Sequence, residues 1–359
     1  MRTPRNVESA SAVGVYLSAL VTVRSECPQA VRRPARLSGV PILPDIMPLG
    51  PGTSDISPGI VAPPRMAARV VTVARQFDRC ASRMASHDLL LREVGHRLIS
   101  RLEYIRLAPA RLLDVGCGMG RSRSELLARY PDADWVGVEL SAAMLRSGLD
   151  EQLRALGLAR WWRRAPRWVL ADAARLPFAD GSADLLFSNL MLHWHPTPHV
   201  VFPEWKRVLS VGGLLMFSCF GPDTLKELRA AVAETLPQAR PMPFVDMHDF
   251  GDMLVASGFA TPVMDVESIT LTYGSPRELC EEVRALGASP LDDRWPGLPS
   301  GRRARLLMEA LDARRDSAGR IPLTFEVAYG HAWKPAPRTV GVSTVSLESL
   351  RQGLPRGKQ

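Results

Sequence analysis

The chain has 359 residues, 46% of them hydrophobic, and a formal net charge of +8. This length is enough to bury one large core or two modest ones. Arginine supplies nearly all the positive charge, because the chain has four lysines (Lys206, Lys226, Lys334 and Lys358), and such a surface favours acidic partners without naming one. No basic run alternates with aromatic residues, so the composition argues against a nucleic-acid-binding protein.

The cysteines indicate a reducing compartment. There are five of them, an odd number, scattered along the chain without a C-x-x-C pair. This pattern argues against a disulfide framework and against a zinc ribbon, and we expect a cytoplasmic protein.

Residues 1–65 differ from the rest of the chain. They hold ten of the 30 prolines, few acids and little periodicity, which predicts a disordered leader. Within them "SAVGVYLSALVTV" (11–23) is apolar but too short to span a bilayer. A signal-peptide core, or an Arg-rich transit peptide that would imply the mitochondrial matrix, are alternatives. We favour an over-long gene start, with the true start at Met47 or Met66. No later stretch predicts a membrane span.

From residue 70 onward the pattern is regular. Residues 75–102 have apolar positions at helical spacing and predict one or two amphipathic helices. Strand-like and helix-like segments then alternate as far as "LLMFSCFG" (214–221), interrupted by a predicted turn "SVGG" (210–213). Two helices, a charged helical segment (276–315) and two strands, "VMDVESITLTY" and "LTFEVAYGHAWK", follow. The alternation predicts parallel βαβ units and a doubly wound sheet.

The stretch "RLLDVGCGMGRSRSELL" (111–127) predicts a nucleotide site at a strand end. Its glycines form G-x-G-x-G rather than the G-x-G-x-x-G of dinucleotide sites, and Arg121 stands where a P-loop needs lysine. Asp114, just before the glycines, would repel a pyrophosphate and attract an ammonium group. The predicted ligand has a cationic amine, a ribose and a base but no phosphate, and S-adenosylmethionine fits that description.

Polar residues follow the next strands in order. Glu139 is placed to accept hydrogen bonds from both ribose hydroxyls, and Asp172 to accept one from an adenine amine. Leu176 and Phe178 are predicted to pack the ring, and residues 184–189 to lie beneath the sulfonium. The alternatives are a helix N-cap at Asp172, a surface charge at Glu139 and a structural role for Asp184.

"HWHPTPH" (193–199) invites a metal-site interpretation. The prolines make it a turn, no cysteine or second acidic cluster accompanies the three histidines, and we assign no metal. His193 and Trp194 line an acceptor pocket or pack the core. Trp161 and Trp162 mark a surface loop, and nothing near Cys117 calls for a reactive thiolate.

The glycine loop and the acids that follow it resemble the Rossmann-like S-adenosylmethionine-dependent methyltransferases with "D-x-G-C-G" loops, over residues 75–335. "FDRCASRM", "SNLMLHW", "EWKRVLSVGGLLMFSCFGPDTLKELR", "PFVDMHDFGDMLVASGF" and "PLTFEVAYGHAWK" are similar to two related families. One is the malonyl-acyl-carrier-protein methyltransferase of biotin synthesis. The other is a mitochondrial complex I assembly factor that hydroxylates an arginine of a partner subunit. "FGPDTLKELR" and "LHW" lean toward the second.

This resemblance implies a site and an architecture. Asp114, Gly116, Gly118 and Gly120 would form the cofactor loop. The other implied contacts are Glu139 and Leu140 to the ribose, Asp172 and Ala173 to the adenine, and Asn189 at the start of the loop over the methyl group. Met84 replaces a tyrosine that usually covers the cofactor.

The implied fold is α/β, Rossmann-like, with a mostly parallel seven-stranded sheet, helices on both faces and a helical lid insertion. A helical cap (66–110) would precede the cofactor-binding core (111–221). The rest of the sheet with the lid and acceptor region (222–335) and a tail (336–359) would follow.

The implied reaction is methyl transfer to the carboxylate of a malonyl group on acyl carrier protein. In-line displacement needs acceptor oxygen, methyl carbon and sulfur held collinear with water excluded, and it needs neither metal nor general base. An arginine that orients the malonyl end and a basic rim for the acidic carrier are expected. Catalytic residues are left unassigned among the candidates Arg229, Arg277, Arg284, Arg302 and Arg303. The alternatives are the arginine hydroxylase or assembly role, another small acceptor and a non-catalytic cofactor-binding partner.

Overall fold

The computed structural model describes residues 64–84, 86–156, 167–237, 239, 242–287 and 301–337. The expectations for the leader before residue 64, for Trp161 and Trp162, and for the tail after residue 337 lie outside the described residues. Because the segment boundaries proposed above depend partly on these regions, they stay predictions.

Seven strands form one sheet. Their bounds are β1 Arg111–Val115, β2 Asp134–Glu139, β3 Arg167–Leu170, β4 Ala183–Ser188, β5 Leu209–Phe220, β6 Ala260–Tyr273 and β7 Ile321–Trp333. The strand order is β3-β2-β1-β4-β5-β7-β6. Strands β1 to β5 are parallel, and β7 runs antiparallel to both β5 and β6. This topology confirms the predicted mostly parallel, Rossmann-like sheet.

The helices come in two groups. Before and between the parallel strands lie α1 Pro64–Met84, α2 Leu89–Ser100, α3 Arg123–Arg129, α4 Ala142–Leu156 and α5 Val201–Val208. After β5 come α6 Lys226–Thr235, α7 Met247–Ala256, α8 Pro276–Ala285 and α9 Gly301–Asp312. Ser275 and Asp246 cap α8 and α7 through their side chains, as local sequence signals favour. No helix within the described ranges is long and apolar enough to cross a membrane.

The sheet buries both of its faces. Along β1, Leu112 belongs to the apolar cluster on one face and Leu113 to that on the other. Leu185 and Leu186 of β4 divide in the same way. Because successive side chains of a strand point to opposite faces, a sheet covered on both sides requires uninterrupted apolar runs. This explains why these strands were recognisable from the sequence.

One local prediction is corrected. "SVGG" is not a separate turn, because β5 begins at Leu209 and its pairing with β4 shifts register between Ala183 and Leu185. The helical segment 276–315 contains two described helices, α8 and α9.

Candidate functional site

A pocket of about 1160 Å³, including its open mouth, lies at the carboxyl ends of β1, β2, β3 and β4. The strand order reverses next to β1, and open α/β sheets bind ligands at such a point. Residues that line the pocket include Asp114, Gly116, Gly118, Glu139, Leu140, Asp172, Ala173 and Asn189. The structure thus brings eight of the nine predicted cofactor-binding residues together.

The loop after β1 is shaped by its glycines. Gly116, Gly118 and Gly120 all have positive φ, at 74°, 55° and 72°. A β-carbon at Gly116 would collide with the side chain of Met191, whereas one at Gly118 would meet no atom within 4 Å. Gly118 therefore leaves its backbone open to close approach by a ligand.

The predicted role of Gly120 needs a correction. This residue does not line the pocket, and a β-carbon there would collide with the Trp168 ring. Gly120 thus makes room for an indole in the core while the loop turns, a role that the G-x-G-x-G spacing does not reveal.

Asp114 is a buried carboxylate with one orphaned oxygen. The residue is 2% exposed, and its Oδ2 has no hydrogen-bond partner among the residues that the structure describes. Burial, together with the nearby charge of Glu139, raises the pKa of Asp114 to about 7. A cationic amine placed in the pocket beside this carboxylate would favour its ionised form.

The carboxylate of Glu139 accepts hydrogen bonds from three nearby backbone amides. Its Oε2 accepts from Gly118 N at 3.0 Å, and its Oε1 accepts from Leu140 N at 2.8 Å and Ser141 N at 2.9 Å. Burial raises the pKa of Glu139, and these three amides oppose that rise. A carboxylate has about four lone-pair sites, so one site remains for a ribose hydroxyl.

Asp172 faces the far end of the pocket beside His195. The His195 Nε2 lies 3.6 Å from Asp172 Oδ1, which also accepts from Ala174 N at 3.0 Å. Burial works to raise the pKa of Asp172, but His195 and the Ala174 amide lower it below the ordinary value. No helix begins here, so Asp172 is not the N-cap considered above.

Leu176 and Phe178 do not line the pocket, and the prediction that they pack an adenine ring is wrong. Both belong to the apolar layer beneath the sheet, and Arg207 holds their carbonyl oxygens. The chain turns away from the pocket after Ala173.

The placement of Asp184 beneath a sulfonium is also wrong. It lies at the amino end of β4, where it accepts hydrogen bonds from Ala110 N and Arg111 N at 3.1 and 3.0 Å and from Ser210. The ligand pocket lies at the opposite end of the strands, so Asp184 is structural.

The segment after β4 forms one wall of the pocket. Asn189 donates to Leu91 O and accepts from Ser218, both at 2.8 Å, so its amide joins α2 to β5. Leu190 follows with a φ of 50°, a strained conformation for leucine. Met191 and Trp194 complete this wall.

Helix α1 covers the pocket from the other side. Val70, Val73, Phe77 and Met84 of α1 line it, and the Phe77 ring meets the Trp194 ring edge-on at 5.2 Å. The amphipathic pattern revealed the helix, but which surface its apolar face would cover was not evident. Met84 occupies part of this wall.

Asp78 fixes α1 to the start of α4. Its Oδ1 accepts from the Ser141 hydroxyl at 2.6 Å and from Ala143 N at 3.1 Å. The exposed backbone of a helix N-terminus is thereby satisfied from another helix.

Two histidines of the turn, His193 and His195, lie in different environments. His193 is buried among Phe220, Phe244 and Trp194, and burial lowers its pKa to about 3. His195 lines the pocket, and His193 does not. No group of three potential metal ligands occurs among the described residues.

Arg121 is a pocket residue that the sequence reasoning missed. It pairs with Asp88 at 2.8 Å and with Glu151 at 2.5 Å, which ties the glycine loop to the start of α2 and to α4.

The five arginines considered as candidates for binding the acceptor lie elsewhere. Arg277 pairs with Glu281, and Arg229 donates a hydrogen bond to Pro222 O. Arg284, Arg302 and Arg303 are exposed, and none of the five lines the pocket.

The sheet topology, the glycine loop and the buried Asp114 define a nucleotide-binding methyltransferase fold. A family model described as "Methyltransferase domain" matches residues 113–217. The cofactor is S-adenosylmethionine.

Comparison with curated proteins gives the family. Malonyl-[acyl-carrier protein] O-methyltransferases of Laribacter hongkongensis, Halorhodospira halophila and Nitrosospira multiformis are 48%, 45% and 42% identical to this chain. The alignments cover 74%, 73% and 74% of this chain and 90%, 86% and 90% of those proteins. The chain belongs to the malonyl-[acyl-carrier protein] O-methyltransferase family.

Two solved structures are also similar to this chain. The YcgJ protein of Bacillus subtilis has a TM-score of 0.48 and 15% identity, covering 67% of this chain and 99% of its own. Phosphoethanolamine N-methyltransferase 2 of Haemonchus contortus, in complex with S-adenosyl-L-methionine, has a TM-score of 0.42 and 18% identity, covering 67% of this chain and 53% of its own.

Proposed function

We propose that the protein methylates the free carboxylate of a malonyl group carried as a thioester on acyl carrier protein. The observation that carries this proposal is the identity of 42–48% with proteins of that name over nearly their whole length. The site adds support, because its buried carboxylate and open glycine suit an amine-bearing nucleoside. We also propose acyl carrier protein as the partner and the cytoplasm as the location.

The residues at the sheet edge suit the cofactor in three respects. The carboxylate of Asp114 would hold the amine, the free lone pair of Glu139 a ribose hydroxyl, and the acid at Asp172 a base amine. When bound there, S-adenosylmethionine supplies an electrophilic methyl group.

The proposed reaction requires no general base from the protein. A carboxylate acceptor is already ionised near neutral pH and needs no base to attack carbon. The apolar wall formed by Phe77, Met84, Met191 and Trp194 would exclude water and restrict the acceptor to one line of approach. His193 lies outside this pocket and stays neutral at physiological pH because burial lowers its pKa to about 3.

A methyl-transfer assay with matched acceptors tests the proposal. Purified protein is given S-adenosylmethionine with radiolabelled methyl and one acceptor: malonyl carrier protein, a small malonyl thioester, free malonate or acetyl carrier protein. We expect label as a base-labile methyl ester on the malonyl thioesters and none on acetyl carrier protein, which has no free carboxylate.

Two outcomes would overturn it. One is S-adenosylhomocysteine formation that does not depend on a malonyl thioester. The other is transfer to a different acceptor while malonyl carrier protein stays unlabelled. Growth of a biotin-requiring strain that lacks its own methyltransferase, after expression of this chain, is the expected result in cells.

A further inference from the structure

Helix α1 is strongly basic. Its sequence contains five arginines and a single carboxylate, Asp78. That carboxylate accepts hydrogen bonds from Ser141 and Ala143 at the start of α4. Asp78 is thereby engaged away from the arginines of its own helix.

Three of these arginines form a stripe on the outside of the helix. Arg75, Arg79 and Arg83 follow one another at intervals of four residues, and all three are exposed. At about 100° per residue, this basic stripe lies roughly opposite the face that Val73 and Phe77 turn into the pocket. One helix therefore has a pocket face and a basic face.

The basic stripe has no counter-charge within the described part of the chain. None of its guanidinium groups pairs with a carboxylate there, although other surface helices do pair their arginines, as in Arg97 with Glu93 and Arg277 with Glu281. Like charges four residues apart on a helix repel one another and destabilise it. The stripe thus carries an unfavourable electrostatic energy that an acidic partner would relieve.

A fourth arginine extends the basic stripe onto α8. Cys80 Sγ contacts Arg284 O at 3.5 Å, and the charges of Arg79 and Arg83 both act on that thiol. Arg284 is exposed, and Leu286, two residues further on, lines the pocket. The backbone of Arg284 therefore packs against α1, which places this exposed arginine close to the basic stripe and the pocket wall.

We propose that this surface, the basic stripe of α1 with Arg284, is the docking site for the acidic face of the acyl carrier protein. The inference rests on the proposed function and adds where its partner binds. Charge complementarity between the two surfaces would steer the encounter and orient the carrier next to the pocket. An anionic membrane is a poorer occupant, because an interfacial helix must bury its apolar face in lipid, and α1 turns that face into the protein.

Charge reversal on the stripe tests the proposal. Arg75→Glu, Arg79→Glu and the double variant are compared with Arg106→Glu, which changes an exposed arginine just before β1, at the end of the sheet opposite the pocket. Each enzyme is assayed with malonyl carrier protein and with a small malonyl thioester over a range of salt concentrations. Thermal melting and cofactor titration establish that each variant is folded and loaded.

We expect the double variant to raise KM for malonyl carrier protein about tenfold or more, with kcat within about twofold, and to flatten the salt dependence of KM. Methylation of the small thioester and the behaviour of Arg106→Glu should be those of the unchanged protein. An unchanged KM for the carrier in the double variant, with the small thioester still methylated, would overturn the docking site and leave the proposed function standing. The docking site is equally overturned if the double variant loses binding to anionic vesicles and keeps its KM.

If neither thioester is methylated by the unchanged enzyme, the proposed function itself fails. The two failures are therefore distinguishable.

Discussion

The substitution Asp114→Asn tests two consequences of burying an unpaired carboxylate: a lower stability of the ligand-free protein and a higher affinity for a cationic amine. Burial raises the pKa of Asp114 from 3.8 to about 7, so without ligand this group makes the folded state less stable as pH rises from about 4 to 7. A difference of about three pKa units corresponds to up to about 4 kcal/mol at pH 8. We expect Asp114→Asn to remove this pH dependence, and to make the ligand-free protein more stable at pH 8.

The same substitution should weaken cofactor binding. Loss of a charge-assisted hydrogen bond of about 1.5–3 kcal/mol predicts a roughly 10–100-fold weaker Kd. Binding of a cationic amine must ionise Asp114, so the Asp114 carboxyl of the unchanged protein should release roughly 0.9 proton per cofactor at pH 6 and contribute nearly none at pH 8. Isothermal titration in buffers of different ionisation enthalpy measures this number directly.

Asp172→Asn is the matched control. The pKa of Asp172 is lowered below its ordinary value, so this group is ionised at both pH values, and its substitution should weaken binding without changing proton release. The charge argument is refuted if Asp114→Asn releases as many protons at pH 6 as the unchanged protein. In that case Glu139, whose pKa is also raised by burial, would be the group that titrates.

Two further predictions concern the walls of the pocket. Gly116→Ala forces a positive φ on alanine and a collision with Met191, and should lower the free energy of unfolding by about 1–3 kcal/mol in urea titration. Gly118→Ala, which meets open space, should cost about 1 kcal/mol, and equal costs would contradict the assigned contact. Asp78→Ala should cost about 1 kcal/mol, speed amide exchange along α1 and weaken cofactor binding, with Asp78→Asn retaining much of the cap. If the exposed Ser82→Ala has the same effect, the cap at α4 is not what holds α1 in place.

The parallel part of the fold was predictable because the same burial pattern recurs in each of its strands. Each central strand is buried on both faces and so carries an apolar run, and each run ends where polar residues or glycines turn the chain. The ends of β1, β2 and β3 must meet at one edge of a parallel sheet, and this placed Asp114, Glu139 and Asp172 together. Asp184 failed the same reasoning because it is the second residue of β4, and the start of a parallel strand lies at the other edge of the sheet.

The rest of the site depends on contacts between segments distant in the sequence. Gly120 has the positive φ expected of its motif, but its neighbour is Trp168 rather than a ligand. The pairing of Arg121 with Asp88 and Glu151 joins three segments that no local pattern connects. The periodicity of α1 predicts an apolar face, yet periodicity contains no information on which surface that face covers.

The pocket and the surface beside it select opposite charges. Asp114, Glu139 and Asp172 line the pocket, and Arg121 there is paired with Asp88, so the interior favours a cation and opposes an anion that arrives alone. The basic stripe of α1 favours an acidic protein, and it lies on the side of the helix opposite the pocket, across a helix about 10–12 Å in diameter. The two sets of charges therefore face different ligands. An acidic carrier protein with a reactive carboxylate would meet both requirements, because the basic stripe would attract the carrier and the positive charge of a bound methyl donor would attract the carboxylate.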